Sequence, residues 1–465
     1  MSSEVIVLNF PKLMSALDSL VWGPPLLLLL VGGGIYFTIR TRALHLRHFG
    51  YIFKNTLLKM FEKSEAEEGG VTPFQALANA LAATVGTGNI VGVSVAILTG
   101  GPGAVFWMWV AAFFGMCTKY FEIVLSIVYR THNSKGEWAG GPMYYIDKGL
   151  KQPWLAKLFA IFAALACFGI GNTVQSNAIA GVVKANFGIS PVIVGIVLTL
   201  ITAIVVAGGI QSITRVTEKL VPFMAALYII GAIVVLFFNI QNVPAAFLSI
   251  FTNAFQTQAA VGGVAGFTFM QIVRAGVSRG LFTNEAGLGS SPIAHASATT
   301  DHPVRQGMWG VTEVFVDTFL VCTMTAMVIL SSGILGTEAD ASSLVSKAFG
   351  STFAGGRYIV TFGLVLFAFS TILGWEFYGE TSARYLLGDK VAWPFKIVFI
   401  LMVFLGSTMD LGVAWTIANI LNGLMAFPNL IALVGLSGVV VALSKDFFAD
   451  DHIRTSAQEW QKLLK

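Results

Sequence analysis

About eleven apolar runs, each near the twenty residues needed to cross roughly 30 Å of hydrocarbon, follow one another with only short charged segments between them. Hydrocarbon offers no water to hydrogen-bond a peptide group, so only helices or a closed barrel can span it. Gly, Ala, Val and Phe succeed one another without a period of two, which selects helices. Of 465 residues, 55% are hydrophobic and 11% charged, with mean hydropathy +0.77, which excludes an ordinary soluble globule. The expected class is an all-α polytopic membrane protein. Cys117, Cys167 and Cys322 all fall inside apolar runs and read as small packing residues, not as a disulfide or metal set.

The run from Phe74 to Leu98 is interrupted by Thr84-Val85-Gly86-Thr87-Gly88-Asn89-Ile90-Val91-Gly92. Glycines and hydroxyls at that depth predict a helix broken where it lines a protein cavity, because an unpaired backbone group facing lipid is costly. A half-helix starting near Asn89 would aim the free amides of Thr87, Gly88 and Asn89, at its positive dipole end, towards a carboxylate. The half-helix ending near Val85 would leave carbonyls free to ligate Na⁺. Close helix packing through small residues is the other reading of the same glycines. The spacing G-x-G-x-x-x-G, with no strand before it, is not a dinucleotide fingerprint.

Of the 28 basic residues, only Lys12, Lys184, Lys347 and Arg357 are expected on one side of the membrane. The positive-inside bias then places the N-terminus outside and the C-terminus in the cytoplasm of a cell-membrane protein. Basic residues spread over one set of loops do not indicate nucleic acid. No basic n-region or A-x-A site flanks the run Val21 to Thr38, which reads as a retained span. Residues Met1 to Leu20 fit an amphipathic helix on the outer interface, where no function is expected. His45 and His48, in the basic stretch Arg40 to Lys63, fit a headgroup-facing anchor better than a metal site.

Other polar groups inside the runs mark expectations. Lys119 and Glu122 are one turn apart and are expected to pair and snorkel at an inner helix end. Asn172, Gln175 and Ser176 share a helical face that should turn to a cavity, or else bond to a neighbouring helix. Phe255 to Gly276, with Gly262, Gly263 and Gly266, is a second interrupted run five spans later, the pattern of an inverted-repeat transporter. Arg274 to Gly307 reads as an inner loop. Within it, Gly276-Val-Ser278-Arg-Gly280 matches the nucleophile-elbow pattern but lacks strand-turn-helix context, and no other catalytic constellation occurs. Adjacent Ser370 and Thr371 at midplane depth could bond back to their own helix or complete a cation shell. Glu313, Asp317, Glu376 and Glu380 are expected at inner helix ends, in gating or solvation.

The stretches Gly100-Gly101-Pro102-Gly103-Ala104-Val105-Phe106-Trp107-Met108-Trp109 and Arg279-Gly280-Leu281-Phe282-Thr283-Asn284-Glu285-Ala286-Gly287 give the chain its resemblance to the alanine or glycine:cation symporter family. The resemblance implies a LeuT-like fold of about eleven transmembrane helices: residues 1–70 with an extra N-terminal helix, repeats over 71–240 and 241–443, and a cytoplasmic tail over 444–465. It implies a substrate carboxylate on Thr87, Gly88 and Asn89. One Na⁺ would sit on the carbonyls of Ala82 and Val85 with the hydroxyls of Ser370 and Thr371, and a second near Thr84, Asn89 and Thr268.

Symport of a small neutral amino acid such as alanine or glycine with Na⁺ is the expected function, with no other cofactor. Gln175 would receive the amino group, Asn172 and Thr268 would add to the polar lining, and Phe168, Phe269 and Trp375 would close the side-chain pocket. A proton-coupled carrier needs a titratable group at the site, which the interrupted stretch lacks, so Na⁺ is favoured. A passive facilitator or channel is the other class; no charge ring or filter repeat supports it. No Walker motif supports an ATP-driven pump.

Overall fold

The computed structural model describes residues 2–449 apart from 61, 63–64, 256–267, 337–339 and 354, with side chains from Phe10 onward. It is helical almost throughout. Among the described residues eight helices are long and apolar enough to cross a membrane, or nine when one bent pair counts as a single span. Pro191–Ala207 and Val243–Thr252 are shorter apolar helices. The glycines of the second interrupted run lie within 256–267, outside the described residues.

In chain order the elements are α1 (Ser2–Val21), α2 (Pro24–Arg40), the bent pair α3 (Pro73–Thr84) and α4 (Gly88–Gly100), α5 (Gly103–Tyr129) and α6 (Pro153–Phe187). They continue with α7 (Pro191–Ala207), α8 (Gly209–Phe238), α9 (Phe269–Asn284), α10 (Ser291–His295), α11 (Pro303–Ser331), α12 (Gly356–Leu387), α13 (Ala392–Thr408), α14 (Gly412–Gly435) and α15 (Ser437–Ala449). The chain turns at Gly208 and Gly209, the latter at φ +65°, and α8 starts at once.

Local chemistry sets the ends of the helices that matter most. Thr72 Oγ1 accepts from Gln75 N at 3.1 Å while Gln75 Oε1 accepts from Thr72 N at 3.0 Å, a reciprocal cap that starts α3. Thr268 and Gln271 repeat the device at the start of α9. Helix α5 is the central post: α9 and α11 pack along it, and its own residues from Gly115 to Ile127 are all buried. The rim is apolar, with Leu28, Ile204, Ile230, Phe237 and Leu401 all exposed, a surface that suits lipid and not water.

The two ends of the bundle differ. At one end lie Pro102 and the start of α9. At the other a short hairpin pairs Thr131–His132 with Trp138–Ala139, and Arg130 stacks 3.9 Å over the Trp138 ring while donating to the carbonyls of Ala296 and Ala298. Arg274 and Arg279 project near Thr99 at the Pro102 end, not beside Arg130 as the loop reading required.

His302 caps α11, its Nδ1 accepting from Val304 N at 3.1 Å, and burial pushes the imidazole down from 6.5 to about 4. A histidine whose folded value is depressed contributes stability fully above its unfolded value and loses it as pH falls towards the folded one. The thermal midpoint in detergent should therefore drop between about pH 6.5 and about pH 4. His302→Asn keeps a neutral cap acceptor and should shallow that drop, leaving the share of His45, which burial also pushes down to about 4. Identical slopes in the two proteins would refute the assignment.

Candidate functional site

Helices α3 and α4 meet at a 55° bend, and the chain between Thr84 and Gly88 is neither. Side chains take up the backbone groups that the bend releases. Gly86 N donates to Asn89 Oδ1 at 2.9 Å, Asn89 Nδ2 donates to Asp317 Oδ1 at 2.6 Å, and Thr325 Oγ1 donates to Asn89 O at 2.8 Å. The amides of Thr87 and Gly88, which open the second half-helix, have no acceptor among the described residues. Free donors at a helix start attract an anion.

A second break lies where a loop was expected. Helix α9 stops at Asn284; Glu285 takes φ +55°, Gly287 +90° and Gly289 +84°, and α10 resumes at Ser291. Every residue from Thr283 to Ala298 is buried. Glu122 accepts from Gly287 N at 3.1 Å, from Gly289 N at 3.0 Å and from Asn429 Nδ2 at 2.6 Å, so α5 and α14 clamp the break. Lys119 pairs with Glu313 at 3.3 Å, and Glu313 also accepts from Ser291 Oγ at 2.7 Å and meets His295 Nε2 at 3.1 Å. Lys119 and Glu122 therefore do not snorkel at an interface; both are fully buried and brace α10 and the turn before it. Ser278 sits inside α9, which removes the nucleophile-elbow reading.

The two breaks touch. A Cβ on Gly88 would lie 3.0 Å from Thr283 Cγ2 and 3.6 Å from the Phe282 ring, so only glycine lets α9 approach this closely. On the other side of the first break stand Thr371 and Gln175, whose Oε1 is 3.8 Å from the Cβ position of Gly86. Gln175 Oε1 and Trp375 Nε1 are buried without a partner, and an orphaned polar atom at such a centre points to an occupant.

Oxygens converge beside Gly86. Ser370 Oγ and Thr371 Oγ1 reach Ala82 O at 3.2 and 3.1 Å and Phe367 O at 2.8 and 3.0 Å. Uncharged oxygens of this kind suit a hard monovalent cation. Asp317, expected at an inner end, is fully buried against the first break: its Oδ2 accepts from Thr318 Oγ1 at 2.8 Å, and no described cationic side chain pairs with it. Glu376 is buried beside Glu380, and Glu380 pairs with Arg384 at 2.7 Å and Lys396 at 3.3 Å.

Thr87, Gly88, Asn89, Gln175, Trp375, Ala82, Val85, Ser370 and Thr371 thus gather around the bend, and others named from the sequence do not. Thr84 bonds back to Ala80 O at 3.1 Å. Thr268 is exposed and spent on its cap, and Phe269 is 41% exposed against Trp107, both at the Pro102 end of α9. Phe168 packs on Phe395 and Phe399, towards α13. Asn172 donates to Phe399 O at 2.7 Å. A wide π turn at Gly169–Thr173 explains the last two, since one extra residue rotates everything before it by about 100° relative to Gln175. Thr283, Phe282 and Asp317 were missed as site residues. The run Gly287-Leu-Gly289 beside a Glu-Ala pair was the available signal for a second break.

Gly88→Ala should destabilise the protein by about 1–3 kcal/mol through overpacking, and adding Thr283→Ser, which deletes the Cγ2 that the new methyl meets, should restore most of it. Thermal midpoints of the single and double variants measure this; no rescue would mean that the breaks do not touch.

A profile of the sodium:alanine symporter family matches residues 8–461. The sodium/alanine symporter of Methanococcus maripaludis is 48% identical over 95% of this chain and 98% of its own. A putative sodium/proton-dependent alanine carrier protein of Bacillus subtilis is 37% identical over 93% and 92%. A probable sodium/glutamine symporter of the same organism is 37% identical over 92% and 89%.

Proposed function

Since the chain belongs to the sodium:alanine symporter family, whose members named above are symporters or carriers and not enzymes, we propose that it couples inward Na⁺ movement to uptake of alanine, glycine and similarly small neutral amino acids by alternating access. The observation that carries this reading is the contact of two helix breaks at one buried centre, with amide donors, an orphaned amide oxygen and a nest of hydroxyls and carbonyls around it. In this reading the substrate carboxylate takes the amides of Thr87 and Gly88, and its ammonium takes Gln175 Oε1. Phe282, Thr283 and Trp375 would bound the side-chain pocket in this reading. The relative named for glutamine shows that the family alone does not fix the substrate's size.

One Na⁺ would occupy the carbonyls of Ala82 and Val85 with Ser370 and Thr371, tying α3 to α12. A second cation position at Asp317, with Asn89, Thr283 and Thr318, replaces the set that included Thr84 and Thr268. Coupling then has a physical basis: a cation that fixes the end of α3 also fixes where the amides of Thr87 and Gly88 point, so each ligand raises the other's affinity. A cavity of about 350 Å³ at the Pro102 end reaches Phe282, which abuts the first break, while one of about 390 Å³ at the Trp138 end is lined by Glu380, Arg384 and Lys396.

The proposed architecture is LeuT-like, with repeats at 71–240 and 241–443 between the flanks 1–70 and 444–465. Supporting it, α9 starts beside Thr99, where α4 ends, so the two broken segments run in opposite directions. In this reading the N-terminus lies outside and the C-terminus in the cytoplasm, supported by basic residues such as Arg130, Arg384 and Lys396 at the Trp138 end, although Arg274 and Arg279 stand at the other. A proton in place of the second Na⁺ is the other reading, favoured by the titratable carboxyl of Asp317 at the break.

In sealed vesicles an inward Na⁺ gradient should drive alanine above its outside concentration; mere equilibration would leave a facilitator. Gln175→Leu removes the ammonium acceptor and should weaken alanine binding by roughly tenfold or more, read by calorimetry in Na⁺ against K⁺ buffer. Asp317→Asn keeps the geometry and removes the charge. It should shift Na⁺ activation to higher concentration, whereas an unchanged Na⁺ curve with a lost pH dependence would select the proton.

A further inference from the structure

Where α2 ends, at the far end of the bundle from Trp22, the chain folds back on itself. Arg42 and Ala43 both take left-handed φ, +54° and +52°, a conformation that costs any residue with a Cβ, and the short helices Leu44–Arg47 and Phe49–Asn55 follow. This turn and α15 enclose a hollow of about 340 Å³ whose charged lining is basic throughout: Arg40, Arg42, Arg47 and Lys445, with His48 beside them and no carboxylate. All four cations are exposed, and none forms an ion pair or a side-chain hydrogen bond among the described residues. Arg40 lies 5.7 Å over the Tyr36 ring. Other groups fix the walls. The Tyr36 hydroxyl meets Ser437 Oγ at 3.1 Å, the Tyr120 hydroxyl meets Ser444 Oγ at 2.7 Å, and the His48 ring stacks 4.0 Å from that of Phe448. Asp446, next to Lys445 in the chain, lies about 100° round the helix from it and does not line the hollow.

Like charges held around one hollow repel one another, so a strained turn that keeps them there points to an anion arriving from outside. Exposed Ile39, Leu46 and Phe49 stand between the arginines, a surface that acyl chains cover and a soluble anion has no use for. Arginine forks take phosphate oxygens two at a time. The hollow has room for about eleven waters at about 30 Å³ each, more than a single phosphodiester group fills. We infer that it is the headgroup site of an anionic phospholipid carrying two phosphodiester groups, with Arg40, Arg42 and Arg47 as the forks and Lys445 as a point charge reaching in from α15. The diffuse potential of an anionic leaflet would act on any basic loop and needs neither the hollow nor the strained turn. A lipid seated here ties α2 to α15. The site does not depend on the symport reading; only its assignment to the cytoplasmic leaflet follows the proposed orientation.

Native mass spectrometry of the full chain in detergent tests this, with tetraoleoyl diphosphatidylglycerol, dioleoylphosphatidylglycerol and dioleoylphosphatidylcholine as probes. One copy of the diphosphatidyl lipid should bind about tenfold more tightly than either of the others. Arg42→Gln with Arg47→Gln should weaken it about thirtyfold, the worth of two basic residues at an anionic surface. Lys135→Gln with Lys390→Gln, both exposed at the Trp138 end and outside the hollow, should leave it unchanged. Should the arginine pair not fold, Lys445→Gln alone should cost about fivefold. Equal losses in the arginine and lysine pairs would reduce the effect to diffuse charge and overturn the site, and equal binding of phosphatidylglycerol would overturn the assignment of two phosphates. Displacement of the lipid by an equal concentration of inorganic pyrophosphate would make the occupant a soluble phosphate instead. Asp450 and Asp451 follow Ala449, which lines the hollow. Lipid binding that appears only after Asp450→Asn with Asp451→Asn would give the hollow to the chain's own carboxylates and overturn the proposal.

Discussion

Pairing of the backbone groups released by two broken helices governs the rest of this structure. At hydrocarbon depth a peptide N–H or C=O without a partner costs more than any single packing contact returns, so each break survives only where side chains reach it. Asn89, Asp317 and Thr325 serve the first break, and Glu122 with Asn429 the second. Those residues come from α4, α11, α5 and α14, so the core is assembled around what the breaks lack. The amides of Thr87 and Gly88 and Gln175 Oε1 are left without a partner among the described residues beside the first break.

The ionisable groups near the second break are held by one another and by backbone amides instead of by water. Lys119, Glu122, Glu285, Glu313 and His295 are all enclosed. Burying such groups gains little net stability over an apolar core of equal volume, and removing one partner strands the others, so their role is best seen as fixing one arrangement of α10 against α5 and α11. A segment as glycine-rich as 285–290 has many conformations open to it. Directional pairing narrows them to one.

This also explains what was legible in the sequence. The first break could be read because glycine and hydroxyl residues interrupted an apolar run with no charge nearby. The second could not, because Glu285 and the arginines of α9 gave it the look of a loop; a single chain does not show that Lys119 and Asn429, far away in sequence, will neutralise and clamp it. Phase was the other casualty. Counting 3.6 residues per turn puts Asn172 and Gln175 on one face, but the π turn at Gly169–Thr173 sends one to α13 and leaves the other at the bend. Thr268 was misassigned because its cap with Gln271 marks where a helix starts, not where it breaks. The family signature marked the right residues, 279–287, without saying that they are the second break.

Hydroxyls beside the first break have one more consequence. Ser370 and Thr371 give their protons to the carbonyls of Ala82 and Phe367, the first of which belongs to the proposed ion set. A hydroxyl is donor or acceptor by rotating a single bond. The nest is thus self-sufficient as it stands; in the proposed reading it would bind an ion when two protons swing away, and an unloaded carrier would meet no penalty there on its return.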